Sequence, residues 1–126
     1  MSEEMEDLVR RWREDAREDM ELARDILTRG KHRHAMFFAH LALEKALKAL
    51  VMRATEETPP KIHNLVTLAE RTGVSFGEER TKLLSAMNFY QSAGRYLDSR
   101  DAGIDPERAT RNFQRSERMF EWLINL

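Results

Sequence analysis

The chain of 126 residues has no cysteine, only three prolines and only five glycines. Without cysteine there are no disulfides, no thiol nucleophile and no thiolate metal site. Any metal chemistry would have to come from carboxylates and the four histidines. Net charge is nearly absent as well: 21 Lys and Arg against 22 Asp and Glu leave −1. That balance excludes a domain that holds nucleic acid by bulk charge and leaves room only for a local basic patch. Long apolar runs are missing. The most apolar stretch, residues 35–52, is interrupted by His40, Glu44, Lys45 and Lys48, too polar to span a bilayer. Residues 1–20 open with Glu3, Glu4, Glu6 and Asp7, the opposite of a signal peptide's basic start. The expectation is a cytoplasmic protein with no membrane association. The length suits a single domain over 1–126, and 41% hydrophobic residues supply its core.

The sparse glycines and prolines make the punctuation clear. Gly30, Thr58-Pro59-Pro60, Gly73 and residues 101–106 divide the chain into five segments. Within them apolar residues recur every three or four positions, as in Leu8, Val9, Trp12, Ala16, Met20 and Ala23, and nowhere does period-two alternation persist. The pattern predicts an all-α fold, an up-and-down bundle of four to five antiparallel helices: two of roughly 25 residues, a short third, and two of about 20. Ser75 and Glu78 have the spacing of a capping box. Asp105-Pro106 reads as an N-cap followed by proline at the first helical position. Gly94 falls inside the fourth helical pattern, where it costs about 1 kcal/mol against Ala. Ala35, Ala39, Ala42, Ala46 and Ala49 give segment two a face of small residues, which predicts close approach of neighbouring helices and a central place in the bundle.

A set of residues then recurs in a telling order. Gly30 closes segment one, and Phe37, Ala39, His40, Ala42, Glu44, Lys45, Leu47 and Lys48 follow. His63, Leu65 and Leu68 open segment three. Tyr90 precedes Arg95-Tyr96-Leu97-Asp98, and Trp122-Leu123-Ile124 stands near the end. Together these resemble the HEPN family (higher eukaryotes and prokaryotes nucleotide-binding domains), with its Phe-x-Ala-Gln-x-Ala-x-Glu-Lys-x-Leu-Lys, His-x-Leu-x-x-Leu and Tyr…Arg-Tyr-Pro-Asp stretches. His40 stands in the place of the common Gln, and Leu97 in that of the proline. The resemblance implies a helical bundle that forms a homodimer, with many members acting as toxin halves of toxin–antitoxin pairs beside a minimal nucleotidyltransferase. Nucleotide or RNA is the implied ligand. Neither the residues nor the resemblance asks for a cofactor or a metal.

Active members of that family cleave RNA with an Arg-x(4–6)-His motif near the start of the fourth or final long helix. There the His moves the proton of the 2′-hydroxyl while the Arg stabilises the phosphorane charge. Arg95 is the matching position, but the partner His is due at 100–102, where this chain has Arg100, Asp101 and Ala102; all four histidines precede residue 64. The spacings Arg29 to His34 and Arg33 to His40 fit formally, yet composition alone produces about 1.5 such matches, and both lie in the wrong part of the chain. Arg95 therefore remains as a catalytic candidate without its histidine. Arg95, Arg100, Tyr90 and Tyr96 form a candidate nucleotide or RNA site, with guanidiniums on phosphate and a tyrosine stacked on a base. The alternative places Tyr90 in the core and pairs the arginines with Asp98 and Asp101.

Other residues have a bland and a functional reading. Lys31, His32, Arg33 and His34, with Arg29, make a basic turn that meets phosphate or is simply solvated. His40 lies four residues before Glu44, and Glu44 four before Lys48, the favourable order for a helix ion pair. His40 is expected at a polar spot in the bundle or at a dimer seam, and His63 at the start of helix three. Trp12 and Trp122 are expected in the core or an interface. Asp98, Asp101 and Asp105 lack the spacing of a calcium loop. Three functions stay open: a toxin-type partner of a nucleotidyltransferase that binds nucleotide or RNA, a noncatalytic helical interaction module, and a ribonuclease with a non-standard site.

Overall fold

Five helices follow one another in the computed structural model, which describes residues 1–93 and 103–126. They are α1 (Glu3–Thr28), α2 (His32–Thr55), α3 (Leu65–Glu70), α4 (Gly77–Ala93) and α5 (Pro106–Ile124). The described residues contain no strand. The number and order of the helices agree with the apolar spacing. Gly94, the Arg95-Tyr96-Leu97-Asp98 run, Arg100 and Asp101 lie outside the described residues.

Side-chain contacts fix the direction of each long helix. The start of α1 meets the end of α2, where the Met1 ammonium pairs with Glu56 at 2.9 Å. Arg24 pairs with Glu117 while Arg13 donates to the Ile124 carbonyl, so α5 runs antiparallel to α1. Arg80 meets Trp122 and Tyr90 meets Asn112, so α4 runs antiparallel to α5. The four long helices thus go up, down, up and down, and α3 is a single turn and a half in the α2–α4 connection.

The centre of this arrangement is α2, which touches all four other helices. Thirteen of its residues are buried, around its whole circumference, which a helix tolerates only when it is surrounded. Ala35, Ala39 and Ala42 are fully buried, and Ala39 and Ala42 share one core with Ala16 and Ala23 of α1 across the extensive α1–α2 interface. Small residues on both sides let the two backbones approach. The turn between them is three residues long, and Gly30 occupies the left-handed region there at φ +76°, where a side chain would be strained.

The caps are local. Ser2 accepts from the Met5 amide, Asn64 from Val66 and Thr67, and Asp105 from Arg108 with Pro106 following. The Asp105-Pro106 start is as the sequence predicts. The capping box at 75–78 is not the way α4 begins. Its helix starts at Gly77, which has φ +77°, and Phe76 turns inward to pack edge-on against Trp122 with ring centroids 5.2 Å apart. Burial of an aromatic side chain outweighs a cap of about 1 kcal/mol.

Because Ala39 has no room around its Cβ, Ala39→Leu is expected to lower stability by about 1–3 kcal/mol in chemical denaturation. Leu22→Ala, at a residue 42% exposed on α1, is expected to change it by less than about 0.5 kcal/mol.

Candidate functional site

Two polar regions stand out once the bundle is assembled, one inside it and one at its end. The inner one is built on Glu44, near the middle of α2, whose side chain is only 7% exposed. A carboxylate so placed needs partners to stay charged. Lys48, one turn on, donates to Oε2 at 3.1 Å, the i,i+4 pair that the sequence predicts. His63 Nδ1 lies 3.1 Å from both carboxylate oxygens. Since the carboxylate accepts, Nδ1 carries the proton in this contact and Nε2 is left as the basic nitrogen of a ring that is 52% exposed. Lys48 also lies over the Trp12 ring, 5.8 Å from its centroid. Trp12 itself is half-buried and packs against Val9, Ala49 and Met52.

His63 stands at the start of α3, as the sequence expects, but it does not supply the cap. That is done by its neighbour Asn64, which caps the helix and accepts from Asn88 Nδ2 at 3.1 Å, while Asn88 Oδ1 accepts from the Leu65 amide at 2.9 Å. The buried carboxylate, 19 residues earlier in the chain, draws His63 toward α2 instead. An i,i+n rule within one helix cannot reveal such a pair.

His40 shares this region at the polar spot the sequence predicts. It is 2% exposed, with Nδ1 3.8 Å from Glu44 and Nε2 without a hydrogen-bond partner. Burial pushes its pKa down from 6.5 to about 4, against the opposing pull of Glu44 and Asn88. It is therefore a neutral ring at physiological pH. Two histidines beside one carboxylate invite a metal reading, but among the described residues no group of three His, Asp or Glu has the geometry to hold an ion.

The second region is at the end of the bundle where α1 turns into α2. Gly30, Lys31, His32, Arg33 and His34 line a cleft of about 330 Å³ together with Ile104 and Pro106. A neighbouring cleft of about 320 Å³ shares His32 and Pro106 and adds Glu107, Thr110 and Arg111. His32 Nδ1 lies 3.1 Å from the Gly30 carbonyl, which can only accept, so its proton sits on Nδ1 and Nε2 is free to take another. Lys31, at the N-cap of α2, makes no side-chain cap, and no acidic residue occupies that first turn. The amides and the positive end of the helix dipole are left to solvent or to an anion.

Of the four residues expected to bind nucleotide or RNA, three, Arg95, Tyr96 and Arg100, lie outside the described residues, as do Asp98 and Asp101. Tyr90 is 3% exposed, its hydroxyl accepts from Asn112 Nδ2 at 3.1 Å, and Phe89 packs edge-on against its ring. It is a core residue and presents no open face on which a base could stack. Trp122, half-buried between Phe76 and the Arg80 guanidinium 3.7 Å away, borders a groove of about 480 Å³ between α4 and α5.

A sequence model described as the HEPN domain matches residues 9–126, nearly the whole chain. The chain belongs to the HEPN domain family. No curated protein and no solved structure matches it significantly. In this HEPN protein Glu44 and Lys48 of α2 and His63, just before α3, form one polar network, while Lys45 pairs with Asp19 of α1 at 2.7 Å.

The depressed pKa of His40 gives a signed prediction. Above pH 6.5 the ring is neutral whether the chain is folded or not, and His40 adds nothing to pH dependence. Between pH 6.5 and about 4 the unfolded chain binds a proton that the folded chain refuses, so stability falls with pH across that window. Denaturation curves from pH 7 to 4 are expected to lose up to about 3 kcal/mol through this group, and His40→Gln to remove that part of the slope.

Proposed function

We propose that this HEPN protein is the toxin-type component of a pair with a minimal nucleotidyltransferase, acts as a homodimer, and binds nucleotide or RNA through phosphate contacts at the α1–α2 end of the bundle. One observation carries the reading. The two adjoining clefts there are lined by Lys31, His32, His34 and Arg111, with His32 and Pro106 common to both and Ile104 lining one. Cations on separate elements that converge on one groove suit a phosphate backbone better than a single solvated helix face does. The near-zero net charge fits as well, because binding then depends on this patch and falls steeply with salt.

A second reading, a ribonuclease with a non-standard site, is favoured by His63. A buried carboxylate on Nδ1 and an exposed ring make it suited to general acid–base work, in the way a catalytic histidine is oriented by its acid.

Both readings are checked with a labelled single-stranded RNA. Lys31→Glu/Arg111→Glu is expected to weaken binding about tenfold or more at low salt, each reversed charge being worth a large part of 1 kcal/mol; unchanged affinity contradicts the groove. If wild type cleaves RNA, loss of cleavage in His63→Ala with binding retained supports the second reading. Loss in Arg95→Ala alone assigns the chemistry to the family's own position. Absence of cleavage by wild type, even in excess, leaves the binding role.

A further inference from the structure

Three arginines of α1 recur at positions 10, 13 and 17, a three-and-four spacing that puts them on one face of the helix. Arg53, in the last turn of the antiparallel α2, comes down beside them. These four arginines line a single open cleft of about 330 Å³, with Glu6 its one acidic residue. Among the described residues only Arg10 has a carboxylate partner, Asp7. No Asp or Glu side chain pairs with Arg13, Arg17 or Arg53 there. Arg13 is half-buried and donates to the Ile124 carbonyl, and Arg53 reaches the Leu126 backbone oxygen at 3.5 Å. The Ile124 carbonyl holds the Arg13 guanidinium at the wall of the cleft without neutralising it.

Such a grouping costs free energy in the empty protein. A guanidinium cannot shed its proton to relieve repulsion. The strain is visible at Arg13, whose pKa is lowered first by burial and then by the nearby charges of Arg53 and Arg17. Elsewhere the same helix avoids this arrangement: Arg24 is matched with Glu117 and Arg11 with Asp7. A cleft with three guanidiniums that no Asp or Glu side chain matches is complementary to a ligand that brings several negative oxygens at once. A phosphate group does so, with two or more charges and a geometry that guanidinium forks meet bidentately; a lone carboxylate brings one charge and two oxygens.

We infer that the Arg10–Arg13–Arg17–Arg53 cleft is a phosphate-binding site. It is separate from the end groove, because Arg13 and the α1–α2 turn are 15 or more residues apart along a straight helix, about 22 Å. The inference stands whether or not the end groove binds RNA. Two sources can supply the phosphate: the backbone of a nucleic-acid strand, or a free nucleotide.

The test is thermal unfolding of the full chain at constant ionic strength, with chloride replaced by inorganic pyrophosphate, ATP or a ten-nucleotide oligouridylate. The expected result for wild type is a saturable rise in Tm of about 3 °C or more with at least one phosphate ligand. Arg17→Gln/Arg53→Gln changes two exposed side chains and keeps Arg13 on its carbonyl. It is expected to weaken that response at least fivefold, and in low salt without ligand to melt at or above the wild-type temperature, because repulsion has been removed. A lower apparent dissociation constant for oligouridylate than for ATP names a strand as the source, and the reverse names a nucleotide; either supports the site. Equal responses of wild type and double variant overturn it. A rise with oligoglutamate and none with any phosphate ligand also overturns it, in favour of an acidic protein segment. The Lys31→Glu/Arg111→Glu variant, run alongside, is expected to keep the pyrophosphate response, which separates this cleft from the end groove.

Discussion

A carboxylate buried at the centre of a helical bundle constrains everything around it. Glu44 sits on the one helix that every other helix touches, and leaving it unpaired would cost several kcal/mol. Lys48 answers from the same helix, which asks nothing of the fold. His63 answers from across the α2–α3 connection, and that contact sets where the connection returns. From His63 the chain continues directly into Asn64, the cap of α3, which meets Asn88 on α4, and Asn88 also takes the Leu65 amide. One buried charge thus links α2, α3 and α4 through directional contacts that apolar packing alone would not specify.

The remaining long-range order comes from shape. Small residues on α1 and α2 allow the two longest helices to lie close along their length, and α5 closes the bundle through Phe113, Met119 and Phe120. The bundle's surface then carries positive charge in discrete places: the α1–α2 end, the arginine cleft along the early part of α1, and the arginines of the α4–α5 groove. A chain with almost no net charge can therefore address anions locally while staying balanced as a whole.

Much of the architecture was legible from local rules. The three-and-four spacing located the four long helices, the alanines of segment two marked the central one, and Asp105-Pro106 marked the start of α5. Glu44–Lys48 followed from spacing within one helix. What escaped depends on distance in sequence. Glu44 and His63 are 19 residues apart, and no periodicity joins them. Ser75 and Glu78 had the right letters for a cap, but the left-handed Gly77 and the inward turn of Phe76 are decided by Trp122, nearly fifty residues on. The arginines at 10, 13 and 17 drew no reading from the sequence, and they gain chemical meaning only when α2 delivers Arg53 to them. Tyr90 had two readings, a stacking platform beside Arg95 and a core residue, and it is the core residue, its hydroxyl accepting from Asn112.

The claim at the root of this account is that Glu44 and His63 are energetically one unit. A double-mutant cycle with Glu44→Gln and His63→Leu measures it directly, by chemical denaturation of the two single variants and the pair at pH 7. The account predicts a coupling of about 1 kcal/mol or more, because Glu44→Gln takes the charge out of the contact and His63→Leu removes the contact altogether. Additivity within about 0.3 kcal/mol would contradict it, and would mean that α2, α3 and α4 are held in register by packing alone.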